Sequence, residues 1–461
     1  MICNTAIILA AGAGTRMKSS RPKVLHNVCG RAMVEHVVRQ VKKIGIKEIV
    51  LVVGHGAQDV TAACEGQGLR FVLQEQQLGT GHAVMQARDL LPETGGVLIL
   101  CGDTPLITGD TLAGFVKFHE DGDYDASVLT AELQDPFGYG RILRNDRQEL
   151  LGIVEQKDAD DSEKQIREIN SGIFCFDAAL LKSSLSKLNT ENSQNEYYIT
   201  DVLSIAVREK KKAGGFPIAD AAEIAGINTR VQLADAERIM RARICEAHML
   251  NGVTMPDPAS VYIDADVSVG ADSVIYPGAI LTGSTSVGSG CIIGQNSRIE
   301  NSVIEDGVEI QSSTIIKSHI GSDSKIGPYA YLRPDSRIGR DVRIGDFVEV
   351  KNASIGDHSK ASHLSYIGDA EIGRDVNIGC GVVFVNYDGK KKHRSIVKDG
   401  AFIGSNSNLV APVVIGENAY VAAGTTVTRD VPGGALCLGR VKEKYIEGWV
   451  KRKNLLRTKE D

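Results

Sequence analysis

The stretch that decides the fold is IDADVSVGADSVIYPGAILTGSTSVGSGCIIGQNSRI, residues 263–299. An aliphatic residue recurs at every sixth position, beside Gly, Asp, Ser or Asn. A period of six suits neither an α-helix nor an alternating strand, whereas each short strand of a parallel β-helix puts one aliphatic residue into a central stack. A generic all-β domain with Gly-rich turns would not keep this phase. The stacked positions are Ile263, Val269, Ile275, Leu281, Val287, Ile293 and Ile299.

The period of six continues towards the C-terminus after a small shift of register. It resumes at residues 320–350 and, after an interruption, again at 403–427. Because a solenoid coil cannot bury its stack alone and offers flat side faces, the domain is expected to self-associate. The later stacked positions are Ile320, Ile326, Leu332, Ile338, Ile344, Val350, Ile403, Leu409, Ile415, Val421 and Val427.

The N-terminal half has a different pattern, in which apolar runs alternate with amphipathic helical stretches. This alternation predicts a mostly parallel, doubly wound α/β sheet. Residues 231–249 lack Gly and Pro and predict a connecting helix. We therefore expect domains at 1–230 and 251–437, a linker helix at 231–250 and a tail at 438–461. Predicted strands are Ala6 to Leu9, Glu48 to Val53, Gly96 to Leu100 and Ala126 to Thr130, and predicted helices are Met33 to Lys43 and Ala83 to Leu91.

Composition excludes several classes of function. A chain of 461 residues exceeds the size of one hydrophobic core, so two or more domains are expected. The net charge of −6 shows no basic stripe, which argues against nucleic acid as a partner. Nine cysteines without a C-x-x-C pair are typical of reduced cytosolic thiols. The first apolar run is too short to span a membrane, so we expect a cytoplasmic protein that does not interact with membranes.

A glycine-rich loop follows the first predicted strand, with the sequence LAAGAGTRM at residues 9–17 and Pro22-Lys23 shortly after it. Glycines allow backbone N–H groups to approach phosphate oxygens, and Arg16 and Lys23 supply positive charge. A strand followed by G-x-G alone also fits a dinucleotide loop or a tight turn. The flanking residues favour a phosphate site.

Asp103 follows the apolar run Val97 to Cys101, and open α/β sheets bind ligands at the carboxyl ends of their strands. Its carboxylate is therefore a candidate ligand for Mg²⁺, and the alternative is a helix N-cap or turn residue. In the C-terminal half, His363 lies where the period of six is broken. A neutral imidazole can accept a proton as a general base, although a lone histidine is also compatible with a structural role.

Several motifs together resemble one enzyme family. L-x-x-G-x-G-T-R-M followed by P-K is similar to the signature loop of sugar-nucleotide nucleotidyltransferases. The wider chain resembles the bifunctional N-acetylglucosamine-1-phosphate uridylyltransferase and glucosamine-1-phosphate acetyltransferase family over essentially its whole length. The further matching motifs are Gln74, QLGTGHA at 77–83, Gly102-Asp103, GYGR at 138–141, Glu155, Asn170 and Asn228.

The resemblance implies a Rossmann-like nucleotidyltransferase domain followed by a left-handed parallel β-helix that assembles a homotrimer. It also implies synthesis of UDP-N-acetylglucosamine for peptidoglycan, from glucosamine 1-phosphate, acetyl-CoA and UTP with Mg²⁺. Asp103 and Asn228 would bind the metal, and Arg16 and Lys23 would neutralise phosphate charge. The nucleotide and sugar contacts would be Leu9, Ala10, Ala11, Gly12, Gly14, Lys23, Gln74, Gly79, Thr80, Gly140, Glu155, Asn170 and Asn228.

For acetyl transfer the resemblance assigns His363 as the general base. Cys380 departs from the family, which commonly has alanine there, but its main chain could make the same contact. A direct transfer is the family rule, and a covalent acetyl-cysteine is the alternative. The amino-sugar phosphate would contact Arg333, Lys351, Tyr366 and Asn377. Acetyl-CoA would contact Cys380, Asn386, Tyr387, Ser405, Ala423 and Arg440.

Two rival functions remain compatible with such a chain. One is a single-activity nucleotidyltransferase whose β-helix serves only assembly or allosteric control. The other is a binding protein that keeps the fold without chemistry. The presence of His363, Tyr366 and the loop at residues 386–389 argues against the first. The presence of Arg16, Lys23, Asp103 and His363 together argues against the second.

Overall fold

The structure, a computed structural model, describes residues 3–455 of the chain. The chain forms two compact units, Met1–Arg243 and Ile244–Asp461. The division falls inside one helix, Arg230–Leu250. A helix is therefore found where the sequence predicts one. None of the helices between Cys3 and Leu455 combines the length and apolarity needed to cross a bilayer.

The first unit is built from apolar strands that helices cover on both faces. Ala6, Ile7 and Ile8 are fully buried, which explains why this strand has no alternating pattern. The strands are β1 Cys3–Ala10, β2 Asn27–Val28, β3 Arg31–Ala32, β4 Glu48–Val53, β5 Arg70–Leu73, β6 Gly96–Cys101, β7 Ala126–Glu132, β8 Arg141–Arg144, β9 Leu150–Val154, β10 Glu168–Asp177 and β11 Ala213–Ile218. The helices are α1 Met33–Lys43, α2 Ala57–Ala63, α3 Thr80–Gln86, α4 Gly109–Asp121, α5 Ala178–Leu185, α6 Thr200–Arg208 and α7 Arg230–Leu250.

The main sheet has the strand order β11-β7-β10-β6-β1-β4-β5, with β8 and β9 attached beside β10. Strand β1 runs parallel to β4 and to β6, whereas β10 runs antiparallel to β6 and β7. The predicted mostly parallel α/β sheet is thereby confirmed. Leu9 pairs with Cys101, so the loops that follow β1 and β6 leave the sheet side by side. This edge is where the candidate site lies.

One predicted helix differs from the structure in its bounds. The sequence predicts a helix from Ala83 to Leu91, but α3 begins at Thr80 and ends at Gln86, and a separate 3-10 turn follows at Arg88–Leu90. Helix α3 starts early because Gly79, with φ 106°, turns the chain and the Gly81 N–H donates to the Tyr197 carbonyl at 2.7 Å. An apolar periodicity cannot reveal such a start.

The second unit is a parallel β-helix with three sheets, and each coil contributes one short strand to each sheet. One sheet contains Tyr262–Ile263, Ile280–Thr282, Arg298–Glu300, Thr314–Ile316, Tyr331–Leu332, Glu349–Lys351, Tyr366–Gly368, Val383–Val385, Asn408–Val410 and Thr426–Val427. The second contains Ser268–Val269, Ser286–Val287, Val303–Ile304, His319–Ile320, Arg337–Ile338, Ser354–Ile355, Ala370–Ile372, Ser395–Val397 and Val413–Ile415. The third contains Val274–Ile275, Ile292–Ile293, Glu309–Ile310, Lys325–Ile326, Arg343–Asp346, Lys360–His363, Asn377–Ile378, Phe402–Ile403, Tyr420–Val421 and Leu436–Cys437.

The aliphatic stack of the β-helix is the predicted one. Every predicted stacked position is buried except Val269, which is partly buried. Ile304, Ile310 and Ile315 continue the stack between Ile299 and Ile320, where steps of five residues replace some steps of six. The shift of register noted in the sequence is therefore a shortening of coils, with the core left continuous.

Buried serines at the corners connect successive coils. The Ser324 hydroxyl donates to the Gly339 carbonyl at 2.8 Å and accepts from the Val342 N–H at 2.9 Å. Ser359 repeats the same pair of bonds with Gly373 and Val376. These bonds satisfy backbone groups that the turns would otherwise leave buried without a partner.

As far as Leu455, the segment after the β-helix contains one short helix, Trp449–Arg452, and the apolar side chains of this helix are exposed. The sequence predicts that the tail forms a helix against a neighbouring subunit, and this stays a prediction. Part of that tail, residues 456–461, lies outside the described residues.

Two neighbouring side chains of one strand test whether the stack stabilises the β-helix. Leu281 is fully buried, whereas the adjacent Ile280 points outward and is 38% exposed. We expect Leu281→Ala to lower the free energy of unfolding of this unit by about 2 to 5 kcal/mol, because it leaves a cavity in the stack. Urea unfolding followed by circular dichroism measures this free energy. Ile280→Ala is the matched control, and an equal loss in both variants would contradict the account.

Candidate active sites

The first unit contains a cavity of about 280 Å³ at the carboxyl edge of its sheet. The loops after β1 and β6 and the start of α3 form its walls. Its position agrees with the general location of ligand sites in open α/β sheets. The lining residues are Leu9, Ala10, Ala11, Gly12, Lys23, Val24, Gln74, Gln77, Gly79, Thr80, Ala83, Cys101, Asp103 and Glu196.

Gly14 and Lys23 are packed together at the mouth of the glycine loop. Gly14 has φ 59°, and a Cβ atom there would collide with the Lys23 side chain. Val24 and Leu25, the next two residues, are buried and anchor the short 3-10 helix Lys23–Leu25. The loop sequence therefore fixes where the Lys23 ammonium group points.

Lys23, Asp103 and Asn228 meet at one point. The Lys23 ammonium contacts the Asp103 carboxylate and donates to Asn228 Oδ1 at 3.0 Å. The side chains of Lys23 and Asp103 are each only 15% exposed. Arg16 Nη2 also donates to Asn228 Oδ1, at 3.0 Å. The structure thus brings the four residues predicted for charge neutralisation and metal binding into one cluster.

The donor set at this point fits a hard divalent cation. A carboxylate oxygen and an amide oxygen already converge on one positively charged atom, the Lys23 Nζ. Mg²⁺ binds through one or two such oxygens and keeps water and phosphate oxygens for its other positions. Within residues 3–455, no group of three His, Cys, Asp or Glu side chains is arranged to hold a metal ion.

Hydrogen bonds hold the loop that carries Asn228 against the segment that follows β6. The Ile227 N–H donates to the Asp103 carbonyl at 3.0 Å. Asn228 Nδ2 donates to the Gly226 carbonyl at 3.2 Å, which leaves Oδ1 to face the cations. Two residues far apart in sequence are in this way kept at a fixed separation.

The other end of the cavity carries polar groups suited to binding a nucleotide base. Gln74 is 3% exposed, and its Nε2 donates to the Gly79 carbonyl at 3.1 Å and lies 3.1 Å from His82 Nδ1. The Thr80 hydroxyl accepts from the Ile199 N–H at 3.2 Å. These contacts fix the Gln74 amide, so Gln74, Gly79 and Thr80 lie together as predicted residues of one subsite.

Gly140, Glu155 and Asn170 form a separate cluster. The Asn170 N–H donates to the Gly140 carbonyl at 2.8 Å, and a Cβ atom at Gly140 would lie 3.3 Å from a Glu155 carboxylate oxygen. Burial raises the pKa of the Glu155 carboxyl. These residues do not line the cavity itself, but Gly172, close to Asn170, approaches the Cys101 Sγ atom in the cavity wall.

Sequence reasoning missed one charged residue of this cavity. Glu196 lies in the polar segment NSQNEYY at residues 192–198, which has no periodicity that would mark it as part of a site. The Tyr197 N–H donates to the Leu78 carbonyl at 2.8 Å and places the segment beside α3. Long-range contacts of this kind, which the sequence does not reveal, bring Glu196 to the cavity.

In the second unit, His363 ends a strand at a corner of the β-helix. Its side chain is 61% exposed, and Nδ1 lies 2.6 Å from Asp346 Oδ1 in the preceding coil. Tyr366 begins the next strand of the same coil. The imidazole is therefore at the surface, available to a ligand.

A group of cations lies on the adjacent sheet. Arg333 forms an ion pair with Glu349 at 2.8 Å, and Glu349 pairs with Tyr366 in the ladder. The neighbouring Lys392 and then Arg333 lower the pKa of the Lys351 ammonium. Three cations this close together favour an anionic ligand. The sequence predicts Arg333 and Lys351, and Lys392 belongs to the basic loop at residues 390–394.

Cys380, Ser405, Ala423 and Arg440 follow one another on successive coils. The Asn406 N–H donates to the Cys380 carbonyl at 2.7 Å, and the Gly424 N–H donates to the Ser405 carbonyl at 2.8 Å. Arg440 Nη1 donates to the Ala423 carbonyl at 3.2 Å. The Gly381 N–H donates to the Leu364 carbonyl at 2.9 Å, so this column continues directly from the corner of His363.

Asn386 and Tyr387 start the inserted loop beside the cations. Asn386 Nδ2 donates to Asp369 Oδ2 at 2.5 Å and to the Tyr366 hydroxyl at 3.4 Å. The Lys391 N–H, the His393 ring and the Lys390 N–H form hydrogen bonds with the Asp388 carboxylate, and these bonds order the loop. The same bonds lower the pKa of Asp388 to about 2. Asn377 lies on a neighbouring strand, where it pairs with Lys360.

Comparisons with known proteins match both units. Residues 6–168 match the MobA-like NTP transferase domain, and residues 258–333 match the GMPPB C-terminal domain. Residues 317–352 and 394–429 match the bacterial transferase hexapeptide (six repeats). The family models thus find a nucleotidyltransferase and a hexapeptide transferase in one chain.

Full-length relatives share both parts. A protein from Alkaliphilus metalliredigens named bifunctional protein GlmU is 57% identical, over 98% of this chain and 98% of its own length. Proteins of the same name from Clostridioides difficile and Alkaliphilus oremlandii are 56% and 57% identical. These alignments cover 97% and 98% of this chain, and 98% and 99% of the relatives.

The partly buried carboxyl of Glu155 predicts a gain of stability on neutralisation. Because burial raises its pKa in the folded state, the folded protein binds this proton more tightly than the unfolded chain. The ionised form therefore destabilises the first unit above the folded pKa, and this cost disappears below the unfolded pKa. We expect Glu155→Gln to raise the melting temperature at pH 8 more than at pH 4, measured by calorimetry. Glu93→Gln, at an exposed carboxylate, is the control, and an equal gain there would contradict the argument.

Proposed function

Because this chain belongs to the family of the bifunctional protein GlmU, we propose how its residues divide two reactions between the two units. The chain is a bifunctional enzyme of UDP-N-acetylglucosamine synthesis, whose product serves peptidoglycan synthesis. It transfers acetyl from acetyl-CoA to glucosamine 1-phosphate and then uridylyl from UTP to N-acetylglucosamine 1-phosphate, releasing pyrophosphate. Its substrates are small molecules.

Uridylyl transfer takes place in the cavity of the first unit. A phosphate oxygen of N-acetylglucosamine 1-phosphate attacks the α-phosphorus of UTP in line with the leaving pyrophosphate. Arg16 and Lys23 neutralise phosphate charge, and the backbone of residues 9–14 lets the phosphates approach. Lys23 is well placed because the packing of Gly14 and Val24 holds its ammonium at the wall of the cavity.

The base and the sugar are bound by two separate groups of residues. Gln74, Gly79 and Thr80 hold the uracil, because a fixed amide and nearby backbone groups can match its donors and acceptors. Gly140, Glu155 and Asn170 hold the sugar. A carboxylate whose burial raises its pKa is costly for folding, and such costs are typical of binding sites.

Nucleotidyl transfer in this family needs a divalent metal ion, and we assign Mg²⁺ held by Asp103 and Asn228. When bound, the ion would neutralise developing phosphate charge. One observation supports this assignment of the site: side-chain oxygens of Asp103 and Asn228 both contact the Lys23 ammonium.

Acetyl transfer takes place at the corner of the β-helix. The amine nitrogen of glucosamine 1-phosphate forms a bond with the acetyl carbon while His363 accepts its proton, and the carbon–sulfur bond breaks. CoA leaves as a thiolate and takes up the proton from the imidazolium. Arg333 and Lys351 bind the sugar phosphate, with Tyr366 and Asn377 at its sides. The column of Cys380, Ser405, Ala423 and Arg440, together with Asn386 and Tyr387, binds acetyl-CoA by direct contacts.

We further propose that the β-helix forms a homotrimer and that the enzyme is cytoplasmic, where UTP and acetyl-CoA are available. Tyr329, Phe347 and Leu364 support the trimer. They occupy the same corner on three successive coils and are 61%, 59% and 60% exposed, and the two rings stack at 5.6 Å. An exposed apolar ridge of this kind is typical of an interface. In this proposal residues 1–230 carry uridylyl transfer, 231–250 link the domains and 251–437 carry acetyl transfer, with a tail at 438–461.

Single substitutions should separate the two activities. We expect His363→Ala to reduce acetyl transfer by about 10²- to 10⁴-fold, the usual contribution of a general base, and to leave uridylyl transfer unchanged. Asp103→Ala should do the reverse. Thiol release from acetyl-CoA and pyrophosphate release from UTP measure the two reactions in the same preparation. Loss of both activities from either substitution would overturn the division of labour.

Metal removal should have the same selectivity. We expect EDTA to abolish uridylyl transfer and to leave acetyl transfer intact, since His363 and the cations of the second site need no metal. Added Mg²⁺ should restore the activity, and Asn228→Ala should raise the Mg²⁺ concentration needed for half-maximal rate. Uridylyl transfer that persists in EDTA, or an Asn228→Ala enzyme with an unchanged Mg²⁺ requirement, would contradict the assigned site.

A further inference from the structure

The strands that carry Asp346 and His363 differ from their neighbours. Arg343–Asp346 and Lys360–His363 each contain four residues, whereas the other described strands of the β-helix contain two or three. Ile344 pairs with Ala361 inside the stack, and the ladder extends outward as far as the pair of Asp346 with His363. The two side chains therefore lie on paired residues of adjacent strands at one corner.

Gly345 keeps these two strands close. A Cβ atom at residue 345 would collide with the Ser362 carbonyl oxygen in the next coil. The absence of a side chain thus allows the backbone before His363 to pack directly against the backbone before Asp346. The separation of the two functional groups is set by main-chain packing rather than by flexible surface contacts.

The hydrogen bond between the two side chains determines which ring nitrogen can accept a proton. Asp346 Oδ1 lies 2.6 Å from His363 Nδ1. The bond from His363 lowers the pKa of the Asp346 carboxyl, which is therefore ionised and can only accept. Nδ1 must then carry the proton of the neutral imidazole, and the free lone pair is on Nε2. Within the described residues, no hydrogen bond of Nε2 is found.

We propose that Asp346 is the positioning residue of acetyl transfer, which holds His363 in the tautomer that accepts the substrate proton at Nε2. Its carboxylate also stabilises the imidazolium that forms while the carbon–nitrogen bond is made. This inference rests on the proposed role of His363 as general base. It adds a second residue to that role and explains why the imidazole is oriented at an otherwise open corner.

The same two coils contain a second pair that serves as a comparison. His358 Nδ1 lies 3.1 Å from Asp341 Oδ2 at a different corner. Both carboxylates precede their histidine by one coil, and both pairs are exposed. Only the pair of Asp346 and His363 borders Tyr366 and the column that starts at Cys380. If removing a surface charge were enough to lower acetyl transfer, substitution of either carboxylate would lower it. If the carboxylate acts by positioning the general base, only substitution of Asp346 would lower it.

The test compares Asp346→Asn, Asp346→Ala and Asp341→Asn in the full-length enzyme. The side-chain amide introduced by Asp346→Asn can present its N–H to Nδ1 and so favour the wrong tautomer. We expect both changes at position 346 to lower kcat of acetyl transfer by about 10- to 100-fold, as for other partners that orient a histidine, with KM values nearly unchanged. Asp341→Asn should retain the normal kcat. Uridylyl transfer, measured in the same samples, reports whether the first unit remains intact.

A double-mutant cycle with His363→Ala separates positioning from a structural role. If Asp346 acts through the imidazole, Asp346→Ala should cause no further loss in the His363→Ala enzyme. Asp346→Glu, which keeps the charge, should recover part of kcat. A change of less than twofold in Asp346→Asn and Asp346→Ala, or a full additional loss in the His363→Ala background, would overturn this inference. Normal acetyl transfer by His363→Ala alone would instead overturn the proposed general base.

Discussion

Parallel pairing of strands in a fixed register is the constraint on which both candidate sites depend. Adjacent strands lie about 4.8 Å apart, and a slip of one residue would turn every side chain to the other face. In the first unit the pairing of Leu9 with Cys101 sends the loops after β1 and β6 out together. In the second unit the pairing of Asp346 with His363 joins two coils at one corner. Residues distant in sequence are thereby held at fixed separations by main-chain pairing.

The two sites use this constraint in different environments. Lys23 and Asp103 are largely enclosed, at 15% exposure each, so their charges interact with little screening by solvent. His363 and Asp346 are exposed by 61% and 40%, so water weakens their Coulomb attraction. The first site can therefore act by charge neutralisation. The second depends more on the direction of one hydrogen bond, which selects a tautomer whatever the strength of the ion pair.

Periodicity in the sequence predicted the β-helix because each coil repeats the same demand for one aliphatic side chain per strand. It missed Ile304, Ile310 and Ile315, since shortened coils replace the step of six by a step of five. The β4 strand was predicted with its observed bounds, Glu48–Val53, because residues 49–53 form a continuous apolar run. Helix α3 was misplaced because Gly79 and a bond to Tyr197 decide where it begins.

Site residues were less accessible to sequence reasoning than the fold. Loop motifs indicated Lys23 and Asp103, but nothing in the sequence linked Glu196 to the cavity or Asp346 to His363, since coil-to-coil pairing decides these contacts.

A crystal structure of the enzyme with UDP-N-acetylglucosamine, Mg²⁺, glucosamine 1-phosphate and CoA tests the account most directly. We expect the uridine beside Gln74 and the ion between Asp103 and Asn228. We expect the sugar amine to face Nε2 of His363 while Nδ1 stays bonded to Asp346. A nucleotide bound outside the cavity of the first unit, or an amine approached by Nδ1, would contradict it.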